Sequence, residues 1–89
     1  MKNQLDGLRK QIDKIDESIV NLLAKRMRVV KKVGQYKKLK KLPPLDPARW
    51  QQVLNTKIKK AKSLGLDSEM VKKIYNLIHE EALKIEKSL

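Results

Sequence analysis

The sequence predicts an all-α protein, one domain over residues 1–89, with three helices of which the first is very long. Apolar residues recur three and four positions apart through three segments, which is the spacing of a helix face. The breaks between segments hold prolines, or a glycine followed by a helix-capping aspartate. No run of alternating apolar and polar residues indicates a strand. These observations together favour an all-helical class.

The first helix is predicted from about Gln4 to about Lys40. An apolar stripe runs along it, which we define as Leu5, Leu8, Ile12, Ile15, Ile19, Leu22, Val29 and Val33. The step of four after Leu22 falls on Arg26, which places a permanent charge on an otherwise apolar face. Gly34 is the weakest helix former inside this segment, at a cost of about 1 kcal/mol.

The second helix follows a proline-containing loop. Pro43 and Pro44 prevent the first helix from continuing. Asp46 is then a favourable N-cap, and Pro47 a favourable first residue, for a helix that ends near Gly65.

The third helix is predicted to start after Asp67, which is its N-cap. Its apolar residues continue from Met70 to Ile85 at helical spacing. His79 flanks this apolar face, and we expect it to be structural or exposed to solvent.

The length of the first helix predicts an intertwined helical homodimer. A helix of about 36 residues is about 54 Å long, whereas a compact globule of this size has a radius of gyration of about 12 Å. The two later helices are too short to cover the whole apolar stripe, so a second copy related by two-fold symmetry is expected to cover it. A long coiled coil is the alternative, but Arg26 and the prolines fit that structure poorly.

The charge of the chain indicates an anionic partner. Lys and Arg number 22 against 10 Asp and Glu, for a net charge of +12. Nucleic acid is one candidate, although the only aromatic residues are Tyr36, Trp50 and Tyr75 and no nucleic-acid-binding motif is present. A small polyanionic metabolite accounts better for cations on an apolar face.

Composition also excludes some kinds of catalytic site and indicates where in the cell the protein is located. The chain has no cysteine, which excludes disulfides, thiolate nucleophiles and thiolate metal sites. No apolar run reaches the length of a membrane span, and the N-terminus has no signal-peptide core. We therefore expect a cytoplasmic protein that contacts no membrane.

Two cations share one face of the first helix. Lys37 lies eleven residues after Arg26, so three turns of helix return it to nearly the same face about 16 Å away. The simpler interpretation is that Arg26 extends out of the core, or pairs with Asp16 or with a glutamate of another helix. Arg9 lies on a related face but about 25 Å from Arg26, so it could reach the same ligand only from an antiparallel partner chain.

These residues resemble a known family along nearly the whole chain. The segments "LRKQIDKIDESIVNLLAKRMRVVKKVGQYK", "LPPLDPARW" and "LGLDSEMVKKIYNLIHEEAL" are similar, in order and spacing, to the all-helical (type II) chorismate mutases. The resemblance implies a dimer with two equivalent pockets that rearranges chorismate to prephenate. It also implies that no metal or cofactor is required, because the reaction is an intramolecular pericyclic shift.

The resemblance assigns roles to individual positions. Arg26 matches the arginine that binds a substrate carboxylate, and Arg9 matches the arginine that the other subunit contributes. Lys37 matches the lysine that binds both a carboxylate and the ether oxygen, which makes it the main catalytic residue. Asp46 and Arg49 match residues that shape the pocket near the ring hydroxyl.

The chain departs from the family pattern at three positions. Trp50 stands where a glutamate often contacts the ring hydroxyl, and we expect it mainly to pack against the third helix; Gln51 is a poorly aimed substitute. Ala82 replaces a serine and loses a hydroxyl contact. Glu86 replaces a catalytic glutamine, and only a protonated glutamate can donate a hydrogen bond to the ether oxygen. Alternatively, Glu86 is solvated near the terminus and pairs with Lys84 or Lys87.

The sequence is also compatible with three other functions. An isochorismate-pyruvate lyase uses the same fold and similar cations. A basic helical dimer could bind nucleic acid, with steep salt dependence and with tolerance of Arg26→Ala. A weakly active regulatory module is the third, although we expect a free-standing enzyme.

Overall fold

The computed structural model describes residues 2–89 and forms three helices, α1 (Lys2–Leu39), α2 (Pro47–Ser63) and α3 (Ser68–Lys87). This confirms the predicted all-α class, since no strand occurs within that range. The predicted bounds of α1 are wrong by one or two residues at each end. Lys40 already belongs to the turn, and Lys41 has a left-handed backbone with φ of 57°.

The capping residues act as predicted. The side chain of Asp46 accepts a hydrogen bond from the backbone N–H of Arg49 at 3.1 Å, which satisfies one free donor at the start of α2. Asp67 accepts in the same way from the N–H of Glu69 at 3.2 Å. Gly65 has φ of +72°, a conformation that glycine adopts without a steric penalty, and it allows the chain to turn back after α2.

The third helix holds the chain together, because it packs against both α1 and α2. One hollow places Ile19 of α1 beside Ile74 of α3, and another places Gly34 beside Glu86, so α1 and α3 run parallel. The α2 helix runs back in the opposite direction. The most buried apolar residues are Leu54 at 8%, Ala61 at 2% and Ala82 at 7% exposure, two of them alanines that let helices approach closely.

The N-terminal part of α1 has no partner within the chain. The molecule extends 60 Å along its longest axis, with a radius of gyration of 16.7 Å, above the roughly 12 Å of a compact globule. Leu5, Ile12 and Ile15 of the apolar stripe are 51%, 55% and 59% exposed. One chain therefore does not cover this stripe, and the homodimer stays a prediction.

The apolar residues of the helices do not form a membrane-crossing segment. Across residues 2–89, no helix combines the necessary length with sufficient apolar composition.

Candidate active site

A cleft opens where α1, the loop before α2, and α3 meet. Its volume is about 180 Å³. The residues that line it are Arg26, Val30, Val33, Lys37, Pro44, Asp46, Arg49, Trp50, Val53, His79, Ala82, Leu83 and Glu86. Every site residue predicted from the sequence is in this set, except Arg9.

Arg26 lines the cleft with a guanidinium group that has no ion-pair partner among the described residues. Its Nη1 atom is buried and has no hydrogen-bond partner within residues 2–89, and no carboxylate in that range forms an ion pair with it. The interpretation that Arg26 pairs with Asp16 is therefore wrong for this chain. A buried guanidinium nitrogen without a partner is costly unless an anion occupies the space beside it.

Lys37 and Glu86 face each other across the same cleft. The Nζ atom of Lys37 lies 2.8 Å from Oε1 of Glu86, and the two side chains are only 20% and 9% exposed. Lys37 also donates a hydrogen bond to the backbone carbonyl of Pro44 at 2.7 Å. The alternative interpretation, in which a solvated Glu86 pairs with Lys84 or Lys87, is wrong.

The α2 helix contributes polar groups at the other side of the cleft. Asp46 lines the cleft while its carboxylate caps the helix. Arg49 also lines it, and its Nη1 atom donates to Oε1 of Gln52 at 2.7 Å. Gln51 instead donates to Asn55 at 3.1 Å and lies outside the cleft.

Trp50 packs against the third helix, as expected, through one specific contact. Its ring stacks on the imidazole of His79 with centroids 3.9 Å apart and planes 8° from parallel. Ala82 is buried on the same side of α3. Trp50 thus both packs against α3 and forms part of the cleft wall.

His79 is the functional candidate that sequence reasoning missed. Burial lowers its pKa from the ordinary 6.5, and the charges of Arg26 and Lys37 act in the same direction, against the opposing influence of Glu86 and Glu80. A signal was present in the sequence. His79, Ala82 and Glu86 are spaced three and four residues apart, so all three lie on one face of α3.

Gly34 lets the end of α3 approach α1 directly behind Glu86. A Cβ atom on Gly34 would lie 3.0 Å from Cγ and 3.2 Å from Cα of Glu86, and 2.6 Å from Cδ1 of Leu89. These distances are below ordinary van der Waals contact, so a larger residue would displace Glu86. Gly34, Lys37 and Glu86 also line a second hollow of about 280 Å³.

Arg9 lies on the exposed N-terminal part of α1. Seventeen residues of helix separate it from Arg26 by about 25 Å. A single chain does not bring the two residues together.

The fold and the site define a class: an all-α protein with a cleft whose walls include an arginine and a lysine from one helix face. The match to a known family makes this more specific. Residues 8–87 match the family "Chorismate mutase type II", and the chain belongs to that family.

Individual relatives carry related names. The chain is 33% identical over 82 residues to the T-protein of Enterobacter agglomerans, covering 92% of this chain and 22% of that protein. It is 31% identical over 88 residues to the bifunctional chorismate mutase/prephenate dehydratase of Escherichia coli K12, covering 99% and 23%. It is 28% identical over 82 residues to the 4-amino-4-deoxychorismate mutase of Streptomyces pristinaespiralis, covering 92% and 64%. The chain thus spans less than two thirds of the length of each of these three relatives.

Proposed function

We propose that this chain is an enzyme, a chorismate mutase, which rearranges chorismate to prephenate. One observation carries the proposal: a buried, unpartnered guanidinium nitrogen of Arg26 lines the same cleft as the Lys37–Glu86 pair. Membership in the type II family supports the choice of substrate.

The proposed chemistry needs positioning and electrostatics. In chorismate the ether C–O bond breaks as a C–C bond forms within the same molecule, so no outside nucleophile takes part. The protein must hold the compact reactive conformer and stabilise the negative charge that develops on the ether oxygen. Donors fixed in a partly buried cleft do both, because they need little rearrangement during the reaction.

Each cation has a defined task in this proposal. Arg26 binds one substrate carboxylate, since a guanidinium offers two parallel N–H donors to a carboxylate. Lys37 has three donors, of which one reaches the carbonyl of Pro44 and another faces Glu86. It can bind both a carboxylate and the ether oxygen once the substrate displaces Glu86 from it. Asp46, Arg49, Trp50 and Ala82 shape the remaining wall.

The proposed role of Glu86 depends on whether its carboxyl group carries a proton. An ionised carboxylate can only accept hydrogen bonds and would repel charge that develops on the ether oxygen. A protonated Glu86 can donate to that oxygen.

The assembly is part of the proposal. Two chains pack through the uncovered apolar stripe, and each contributes Arg9 to the cleft of its partner. Residues 1–89 act as one domain, without a metal or cofactor, and a cytoplasmic location stays a prediction from the sequence. The exposed apolar side chains of α1 support the dimer, because isolated chains rarely expose such a continuous apolar surface.

The decisive experiment follows the loss of chorismate absorbance with purified protein and identifies the product. Prephenate formation is expected, and Arg26→Ala should reduce kcat/KM by roughly 100-fold or more. Arg28→Ala is the matched control, since Arg28 is exposed on the same helix and lies outside the cleft. It should leave turnover nearly unchanged.

Other products would identify the competing functions. Release of pyruvate from isochorismate, without turnover of chorismate, would indicate the lyase. Equal effects of the two arginine substitutions on nucleic-acid binding, with steep salt dependence and no turnover of either substrate, would indicate the nucleic-acid-binding dimer. Binding of chorismate without turnover would indicate a regulatory module.

A further inference from the structure

The imidazole of His79 stacks on Trp50 and lines the cleft. Trp50 covers one face of the ring in a nearly parallel stack at 3.9 Å. None of the side-chain hydrogen bonds within residues 2–89 uses either ring nitrogen of His79. Packing on Trp50 therefore orients the ring in the cleft wall, and no side-chain hydrogen bond of the described residues competes for its nitrogens.

Burial is the main influence that favours the neutral imidazole of His79, and the neighbouring charges act on its pKa in both directions. Arg26 and Lys37 face it from α1, Glu80 and Glu86 act on it from α3, and Arg49 of α2 lines the same cleft. The pKa of His79 lies below 6.5 because burial and Arg26 outweigh the carboxylates. A neutral imidazole has one N–H donor and one bare nitrogen that accepts.

Chorismate has anionic groups and one uncharged hydroxyl, and the cleft has cations and one imidazole that can be uncharged. Its two carboxylates and its ether oxygen only accept hydrogen bonds at neutral pH, and they match Arg26 and Lys37. Its ring hydroxyl is its one uncharged group that both donates and accepts. A neutral imidazole can both donate to and accept from such a hydroxyl without placing another charge beside the dianion.

We infer that His79 is a specificity-determining residue that hydrogen-bonds the ring hydroxyl of chorismate, with Trp50 fixing its orientation. This inference rests on the proposed function. The polar contact to the hydroxyl then comes from α3, while Trp50 of α2 supplies a rigid apolar wall.

The test compares chorismate with an analogue in which hydrogen replaces the ring hydroxyl. His79→Phe keeps an aromatic ring against Trp50 but removes both nitrogens, whereas His79→Gln restores an uncharged donor and acceptor. For chorismate, kcat/KM should fall roughly 3- to 10-fold in His79→Phe, the loss expected for one hydrogen bond between uncharged groups. For the analogue, kcat/KM should change less than about 2-fold in His79→Phe. His79→Gln should restore part of the preference for chorismate over the analogue.

Controls separate this inference from folding defects and from the proposed function. Tyr75→Phe removes a hydroxyl from α3 outside the cleft and should affect neither substrate. The chain has one histidine, so its imidazole NMR signal is unambiguous and should shift when prephenate binds to the wild type.

The outcomes are distinct. A wild-type enzyme that turns over chorismate, combined with equal losses on both substrates or no loss on either, would overturn the role of His79 alone. A wild type that neither binds nor converts chorismate would overturn both proposals. If His79→Phe loses its helical circular dichroism, His79→Gln and the NMR signal decide the question.

Discussion

Lys37 and Glu86 form an ion pair at 2.8 Å between the C-terminal ends of α1 and α3, the first and last helices of the chain. The pair lies on the wall of the cleft that also contains Arg26. Lys37 is expected to stabilise the negative charge that develops on the ether oxygen of the substrate. An ionised Glu86 would oppose that charge. The side chain at position 86 therefore affects how well the proposed site stabilises that charge.

The first prediction concerns the side chain at position 86. An ionised carboxylate only accepts hydrogen bonds, whereas Glu86→Gln supplies a permanent donor of similar shape. This variant should therefore raise kcat at neutral pH. One such hydrogen bond is worth roughly 2–4 kcal/mol in a well-organised site.

The measurement is kcat at neutral pH for both proteins. Glu81→Gln is a suitable control, because Glu81 is an exposed carboxylate on the same helix. Equal kcat values for wild type and Glu86→Gln would contradict the proposed role.

The second prediction concerns Gly34. Gly34→Ala should lower kcat/KM by roughly 3-fold or more, because Leu89 and Glu86 must shift to admit its Cβ, Glu86 by a few tenths of an ångström, and misplacement of a catalytic group by about 1 Å can cost about 100-fold. Gly7→Ala is the control, since nothing lies within 4 Å of that added Cβ in the chain. It should be neutral or stabilise α1 by up to about 1 kcal/mol. Unchanged kinetics in Gly34→Ala would mean that α3 adjusts without moving Glu86.

The third prediction concerns stability and His79. Because folding lowers the pKa of His79 below 6.5, the unfolded chain binds a proton more readily between the two pKa values. The free energy of unfolding should therefore decrease as pH falls through 6.5 toward the folded pKa, and this loss should stop below it. Urea unfolding at several pH values measures the slope, which should be shallower in His79→Gln. An unchanged slope would show that His79 is not the responsible group.

The fourth prediction concerns the dimer. Light scattering at micromolar concentration should give twice the mass of one chain. Ile12→Lys places a charge in the uncovered apolar stripe, so it should weaken association and reduce helicity. Asn21→Lys adds the same charge on the opposite face of α1 and should leave the dimer intact. A wild-type monomer with full helicity would refute this prediction.

The fifth prediction concerns the shared site. Arg9→Ala and Arg26→Ala should each remove most activity. When the two inactive variants are unfolded and refolded together, heterodimers should regain one cleft with wild-type Arg9 from one chain and wild-type Arg26 from the other. Activity well above either variant is expected, and proven heterodimers without recovery would place Arg9 outside the cleft.

The sequence by itself determined the three helices and most of the cleft residues. The periodicity of the apolar stripe, the caps at Asp46 and Asp67 and the breaks at Pro43 and Pro44 are local signals, which act within a few residues and can be recognised without knowing the fold. The spacing of Arg26 and Lys37 is also local, because one rigid helix carries both.

Only the tertiary structure decided which charges pair and which stay free. The Lys37–Glu86 pair, the unpartnered Nη1 of Arg26 and the stack of Trp50 on His79 each depend on how closely and in which register α3 packs against its neighbours. That register follows from close approaches such as the one at Gly34, where the absence of a Cβ admits the end of α3. Helical periodicity shows which face a side chain occupies, but the residue that it meets across the interface depends on packing between distant parts of the chain.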